Sequence, residues 1–178
     1  MFASVNHDLL IFLYTLATSS DFFRAVFIFL AEWFPYLVVA SVVIYESATQ
    51  VKEHEIMRVI IRTAFPSFVV WVVVFFIKLF FPSPRPFAGD LGITPLVSVT
   101  NPFGSFPSAH AAVFSALAGT MLANHFHAWK WYLLAAILIA LARVATGVHF
   151  PIDVLVGTVL GLFLGFFLSK ILMRGAMK

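Results

Sequence analysis

Six ionisable side chains, Lys78, Arg85, His110, Arg143, His149 and Asp153, stand at the ends of long apolar stretches, where a charge is costly and marks a functional candidate. Each alone has an ordinary use. Lys78 or Arg143 could snorkel to a membrane interface, and Asp153 could cap a helix start. Together they supply the parts of one reaction, phosphoryl transfer with no metal or other cofactor. Two guanidiniums and one ammonium can surround a phosphoryl group and offset the charge that builds in its transition state. Cations bind anions but do not hydrolyse them; two His and one Asp provide a nucleophile and a proton donor. In His149-Phe150-Pro151-Ile152-Asp153 the Pro fits the first turn of a helix. Asp153 then reaches back toward the His149 ring, fixing its tautomer and leaving the other nitrogen free to attack phosphorus. His110 is left to protonate the leaving oxygen. In Phe106-Pro107-Ser108-Ala109-His110 the Ser stands at a helix start, as a plain N-cap whose helix also points free N–H groups and a hydroxyl at phosphate oxygens.

The elements that must position these residues are membrane spans. Of the 178 residues, 62% are apolar and only 11% charged, against about 25% charged in soluble domains, and the mean hydropathy is +1.01. That composition excludes a soluble enzyme, a disordered tail or a nucleic-acid module as a first reading. The absence of Cys excludes disulfides, thiolate metal sites and a Cys nucleophile. No cleavable signal is expected in Met1 to Asp8, which lacks a basic segment. Five stretches are long enough to cross a bilayer: Phe22–Tyr45, Ile56–Phe81, Ser108–His125, Trp129–Val148 and Ile152–Met173. The run Leu9–Thr18 is shorter and reads as an interfacial or re-entrant helix, with a sixth span as the alternative. The expected architecture is all-α: a polytopic helix bundle forming one domain over residues 1–178.

Drawing the spans antiparallel sorts the basic residues. One face carries Lys52, Arg58, Arg62, Lys130, Lys170, Arg174 and Lys178; the other has Arg24, Lys78, Arg85 and Arg143. The positive-inside rule puts the first face in the cytoplasm of a cell membrane and the six-residue cluster outside it. Lys and Arg on cytoplasmic loops also account for the net charge of +3 without an anionic macromolecular partner.

The cluster resembles the three-part signature of the type 2 phosphatidic acid phosphatase superfamily. The first part reads Lys78, six residues, then Arg85-Pro86; the second Pro107-Ser108-Ala109-His110; the third Arg143, five residues, His149, three residues, Asp153. Two positions depart from the pattern: Ala109 stands where the family usually has Gly, and Ala142 where it has Ser. The resemblance covers residues 78–153. It implies a metal-independent lipid phosphatase with His149 as nucleophile through a phosphohistidine, Asp153 as its orienter and His110 as general acid. It assigns phosphate binding to Lys78, Arg85, Ser108, the backbone at Ala109 and Arg143. The short chain, the N-terminal helix and Arg85-Pro86-Phe87 look most like the undecaprenyl-diphosphate phosphatases of the bacitracin-resistance type, which serve cell wall biogenesis. Phosphatidylglycerophosphate, phosphatidate and lipid A phosphates, or transfer to another lipid, stay open as substrates and reactions.

A ring of cations could also form an anion pore or carrier. That use needs no His-Asp pair beside a second His, and the apolar cytoplasmic halves of the later spans speak against it. Glu32, inside the first span, either lines the substrate entrance, pairs with a clamp cation, or serves a structural hydrogen bond beside Pro35. His125 and His127 read as solvated turn residues. Gly157, Gly161 and Gly165 form a row of small residues that suits packing within the bundle or dimerisation. The loop from Pro82 to Pro107 is long enough to be functional and is expected to form part of a lid.

Overall fold

The computed structural model describes residues 2–49 and 56–175. Lys52 and Lys178, two of the seven basic residues on the expected cytoplasmic face, fall outside them. The fold is all-helical: α1 Phe2–Thr18, α2 Asp21–Ile28, a π-helical turn Phe29–Trp33, α3 Phe34–Thr49, α4 Ile56–Phe80, α5 Ala109–Ala123, α6 Trp129–Ala145 and α7 Pro151–Gly175. Among the described residues there is no strand, only an isolated antiparallel bridge between Pro84 and Phe103.

Three segments, Asp21–Tyr45, Thr63–Phe80 and Pro151–Leu172, are long and apolar enough to cross a membrane. The other two expected spans are shorter than the sequence suggests, at 15 residues for α5 and 17 for α6. At 1.5 Å per residue these reach only about 22 and 25 Å. The reason is enclosure: α5 buries 11 of its residues inside the bundle, so its length answers to its neighbours more than to the bilayer. The first helix shows the opposite deviation. It runs 17 residues from Phe2 rather than ten from Leu9, because Asn6, which breaks the apolar pattern, is used in a tertiary contact described below.

The centre of the bundle is the α5–α7 pair, and glycine makes it close. A Cβ on Gly161 would lie 2.0 Å from the Ala112 carbonyl oxygen, and one on Gly165 2.2 Å from that of Ala116. Gly157 meets the Ser108 carbonyl in the same way, at 2.6 Å. The small-residue row therefore faces α5 of the same chain. Thr120 reinforces the contact by donating to the Gly165 carbonyl at 3.2 Å. Around this pair, Phe114, Leu117, Met121, Tyr132 and Ile139 pack with Val38 and Val42 of α3, and Val70 and Val74 of α4 close the other side against Ala112 and Ala116. The outward surface is rich in exposed Phe and Trp, among them Phe68, Trp71 and Phe75 of α4, a composition suited to lipid.

The helices alternate in direction, so the C-terminal ends of α4 and α6 and the N-terminal ends of α5 and α7 meet at one end of the bundle. At the opposite end, the Asn124 side chain donates to Ser169 at 2.9 Å, and His125 lies 3.5 Å from Lys170. His127 is exposed there. The segment from Pro82 to Pro107 folds over the first end and is tightly held. Ser83 accepts the amides of Gly104 and Ser105, the Arg85 amide donates to Pro102, and Leu96 donates to Thr146. Ile93 and Val97 are buried as plugs against α1 and α6.

Candidate active site

All six ionisable residues singled out from the sequence arrive at this one end. Lys78, in the last turn of α4, directs its ammonium to the carbonyl oxygens of Gly104 and Ser105. Arg85 sits just before the short 3-10 turn Pro86–Ala88. Its Nε donates to the Asn101 carbonyl at 3.0 Å and its Nη1 to the Val148 carbonyl at 2.8 Å. Backbone carbonyls of the 101–105 segment and of the α6–α7 turn thus hold two of the three cations while leaving donors of the Arg85 fork and the Lys78 ammonium unused. Arg143, in the last turn of α6, is buried, and its Nε has no hydrogen-bond partner.

The His149 ring is 2% exposed. Its Nε2 lies 3.4 Å from Arg85 Nη1. A guanidinium can only donate, so this nitrogen must present its lone pair, which assigns the ring proton to Nδ1. Nδ1 faces Asp153 Oδ2 at 3.6 Å. That is ion-pair range but too long for a hydrogen bond, and Nδ1 has no hydrogen-bond partner. The expectation that Asp153 reaches back to the ring is therefore met in direction and not in contact. The oxygen concerned is already engaged, accepting the Phe150 amide at 2.8 Å and the Ser105 hydroxyl at 2.5 Å. Asp153 thus fixes the loop that carries His149 more directly than it fixes the imidazole. Burial holds the His149 imidazole well below its ordinary range, and the nearby Arg143, Arg85 and Lys78 charges push the same way against the Asp153 contact. Burial and the surrounding cations therefore favour the neutral ring.

Ser108 caps α5, accepting the Ala111 amide at 3.5 Å, and its own amide donates to the Asp153 carbonyl at 3.0 Å. Its hydroxyl is fully buried, so the structural role is occupied in this state. Ala109 and His110 form the first turn of α5 and are partly exposed, with Ala109 packed beside Val70 and Val74 of α4. Ala142 is completely buried against Ala31, Val97 and Val148.

One residue was missed in the sequence, Ser105, and for another, Glu32, the reading as partner of a clamp cation is the one favoured here. Ser105 is fully buried and bonded to Asp153; its only signal was its place two residues before Pro107. Glu32 lies in the π-helical turn whose Ala31 packs on Ala142 and Val148, and its carboxylate is the negative charge that acts on Arg143. Asp153 plays that part for Lys78 and Arg85. Three cations against two carboxylates leave the cluster net positive. Among the described residues, no group of three His, Asp or Glu side chains gathers closely enough to hold a metal ion. What this end offers instead is a surplus of N–H donors around a neutral imidazole, an arrangement that takes an anion. A cavity of about 710 Å³ between α1, α6 and α7 is lined by apolar residues including Leu9, Ile137 and Leu155. It lies on the other side of α7 from Asp153 and holds no ionisable side chain.

The PAP2 superfamily model matches residues 55–175, and the chain belongs to that family. With its apolar helices it is a multi-pass membrane protein. It is 38% identical over 76 residues to an undecaprenyl-diphosphatase of Sulfolobus acidocaldarius, covering 42% of this chain and 36% of that protein. It is 28% identical over 170 residues to the bacitracin transport permease protein BcrC of Bacillus licheniformis, covering 93% of this chain and 80% of the relative. The chain thus spans about a third of the Sulfolobus protein and most of the Bacillus one. Among solved structures, Aquifex aeolicus LpxE superposes with a TM-score of 0.69 at 25% identity over 93% of this chain and 94% of that one. A transmembrane PAP2-type phosphatidylglycerolphosphate phosphatase of Bacillus subtilis superposes with a TM-score of 0.60 at 21% identity, over 98% and 87%, and shares the fold.

Proposed function

We propose that this protein hydrolyses a lipid diphosphate at the extracytoplasmic face of the cell membrane, with undecaprenyl diphosphate as substrate and undecaprenyl phosphate and inorganic phosphate as products. The observation that supports the reading is the 3.4 Å approach of Arg85 Nη1 to His149 Nε2, a guanidinium beside the ring nitrogen proposed to attack phosphorus. With the terminal phosphate between Lys78, Arg85 and Arg143, Nε2 attacks phosphorus and the bond to the bridging oxygen breaks. His110, protonated when the anionic substrate enters and offsets the cations around it, gives that oxygen its proton. A water molecule then passes a proton to His110, attacks the phosphohistidine and restores His149. Asp153 steadies the imidazolium that forms at Nδ1, and the three cations offset the charge of the transition state without a metal. The α5 N-terminus, with the amides at Ala109 and beyond, adds donors to the phosphate oxygens.

The relatives named for undecaprenyl diphosphate and bacitracin favour the isoprenoid over glycerolipids. The test is phosphate release by the purified protein from undecaprenyl diphosphate, phosphatidylglycerophosphate, phosphatidate and lipid A in mixed micelles, with EDTA present and vanadate as inhibitor. Release from undecaprenyl diphosphate that persists in EDTA, stops with vanadate and is abolished by His149→Ala is expected. Activity that disappears with EDTA and returns with a divalent ion overturns the metal-free mechanism, and release confined to the glycerolipids overturns the substrate.

A further inference from the structure

Two contacts tie α1 to the loops that build the site. The Asn6 side-chain oxygen accepts the Ile152 amide at 2.9 Å, across 146 residues of sequence. Two turns further on, the Tyr14 hydroxyl donates to the Thr94 carbonyl at 3.0 Å and accepts the Thr94 amide at 3.2 Å. Between them Leu10 is fully buried against Ile93, Val144 and Val154, and the His7 ring meets Phe150 edge-on at 6.3 Å. Helix α1 therefore lies along the catalytic end, touching the start of α7 at one point and the 82–107 segment at another.

The start of α7 needs such a contact. Its first residue, Pro151, has no N–H, and the amides of Asp153 and Val154 turn back to the Phe150 carbonyl at 3.0 and 3.4 Å. The Ile152 amide is the remaining donor of that turn. In most helices the residue before the first turn caps such a donor with a polar side chain, but Phe150 has only hydrocarbon to offer. The cap comes from α1 instead. Ile152 stands between His149 and Asp153, so whatever fixes its amide fixes the register in which the imidazole and the carboxylate face each other.

We propose that Asn6 is a positioning residue for His149, capping the catalytic helix from a different part of the chain. The proposal rests on the reading of His149 as the nucleophile. Asn6→Leu keeps the side chain's size and removes the acceptor; Asn6→Asp keeps the acceptor and suits a helix N-terminus. The expected result in matched micelles is a ten- to thirtyfold lower kcat for Asn6→Leu with KM within twofold of wild type, and recovery to within threefold in Asn6→Asp. Vanadate, which mimics the transition state, should bind Asn6→Leu more weakly by about the same factor as kcat falls, whereas inorganic phosphate should bind it as before. A merely structural role would lower yield and active fraction without that split. Wild-type kcat in Asn6→Leu overturns the proposal, as does equal loss in Asn6→Leu and Asn6→Asp. If Asn6→Leu does not purify as a folded protein, Asn6→Gln replaces it, expected to lie below Asn6→Asp because its acceptor is displaced by one methylene; parity of the two overturns the proposal. His149→Ala, run alongside, separates the two layers: its retention of activity overturns the nucleophile, whereas its inactivity beside a fully active Asn6→Leu overturns only the positioning role.

Discussion

Ser105 donates its hydroxyl to Asp153 Oδ2 at 2.5 Å, joining the segment that covers the site to the helix that carries its carboxylate. The same oxygen accepts the Phe150 amide at 2.8 Å, so two donors hold the carboxylate on the side facing His149. Removing one leaves Asp153 free to rotate and the His149 tautomer less firmly set. Ser105→Ala is predicted to lower kcat about tenfold with little change in KM, the size of one charge-assisted hydrogen bond at about 1.4 kcal/mol. Ser105→Thr, which keeps the hydroxyl in a buried site with room for little more, should retain more activity than Ser105→Ala. Steady-state kinetics of the two variants check this, and an unaltered kcat in Ser105→Ala would remove the contact from the mechanism.

His149 is buried neutral, and that has a consequence for stability. Its folded-state pKa lies below the unfolded value because burial disfavours the charged ring. Below the ordinary His value the unfolded chain therefore binds more protons than the folded one. The contribution of the neutral ring is fully present above about pH 6.5 and is lost as the pH falls from there toward the folded pKa. Thermal midpoints measured in detergent between pH 7.5 and 4.5 should fall for wild type and fall less for His149→Gln. Parallel curves for the two proteins would show that this ring is not the group being titrated.

Much of the site was legible because its side chains are chemically conspicuous. Charges in an apolar chain stand out, and the spacings around Lys78–Arg85, His110 and Arg143–His149–Asp153 place them at helix ends that antiparallel packing must bring together. What stayed hidden works through the backbone. The carbonyls of Asn101, Gly104, Ser105 and Val148 that hold Arg85 and Lys78 have no sequence signature, since every residue has a carbonyl. Asn6 was hidden for a related reason: a polar residue flanking the start of an apolar run carries no sign that its side chain meets Ile152. The π-helical turn at Phe29–Trp33 has a readable cause, because Pro35 has no amide for the Ala31 carbonyl and the ladder shifts by one residue. The lengths of α5 and α6 were misjudged because apolar composition reports burial and cannot say whether lipid or protein does the burying.

The α5–α7 seam makes a sharp packing prediction. At Gly161 a methyl group would lie 2.0 Å from backbone, the Ala112 carbonyl oxygen, with no flexible side chain to give way. Gly161→Ala must therefore push the two helices apart along the seam that aligns Ser108 with Asp153. Overpacking of this kind costs about 1–3 kcal/mol or more. A lower thermal midpoint and loss of activity are expected together, with Gly92→Ala as a contrast of the opposite geometry: open space around it but a φ of +65°. A Gly161→Ala protein of wild-type stability would mean that the helices are not in this contact.

Topology can be tested directly in a chain without cysteine. Asp90 is exposed in the segment over the cluster, and His127 is exposed in the turn between α5 and α6 at the opposite end. If the cluster is extracytoplasmic, an impermeant thiol reagent applied to intact cells labels Asp90→Cys, and labels His127→Cys only after the membrane is opened. The reverse pattern would move the reaction to the cytoplasmic side and overturn the extracytoplasmic assignment.

Substrate preference follows from where the cations stand. Lys78 and Arg143 lie at the ends of apolar helices and Arg85 in the segment that follows α4, so a lipid's phosphate can reach them while its tail remains among the exposed aromatic and aliphatic side chains outside. Each buried methylene is worth about 0.8 kcal/mol relative to water, but a lipid has gained most of that already by entering the bilayer. The advantage of a lipid over a soluble phosphate is therefore expected as confinement at the interface, seen mainly in KM, and less in kcat. A long isoprenoid diphosphate should exceed a soluble phosphate monoester in kcat/KM by at least a hundredfold in mixed micelles. Diluting the substrate in detergent at constant bulk concentration should lower its rate, because the surface concentration is what the enzyme meets. Equal kcat/KM for the two substrates, or a rate indifferent to surface dilution, would show that the cation cluster draws its substrate from water, and the membrane interface would then have no part in its selectivity.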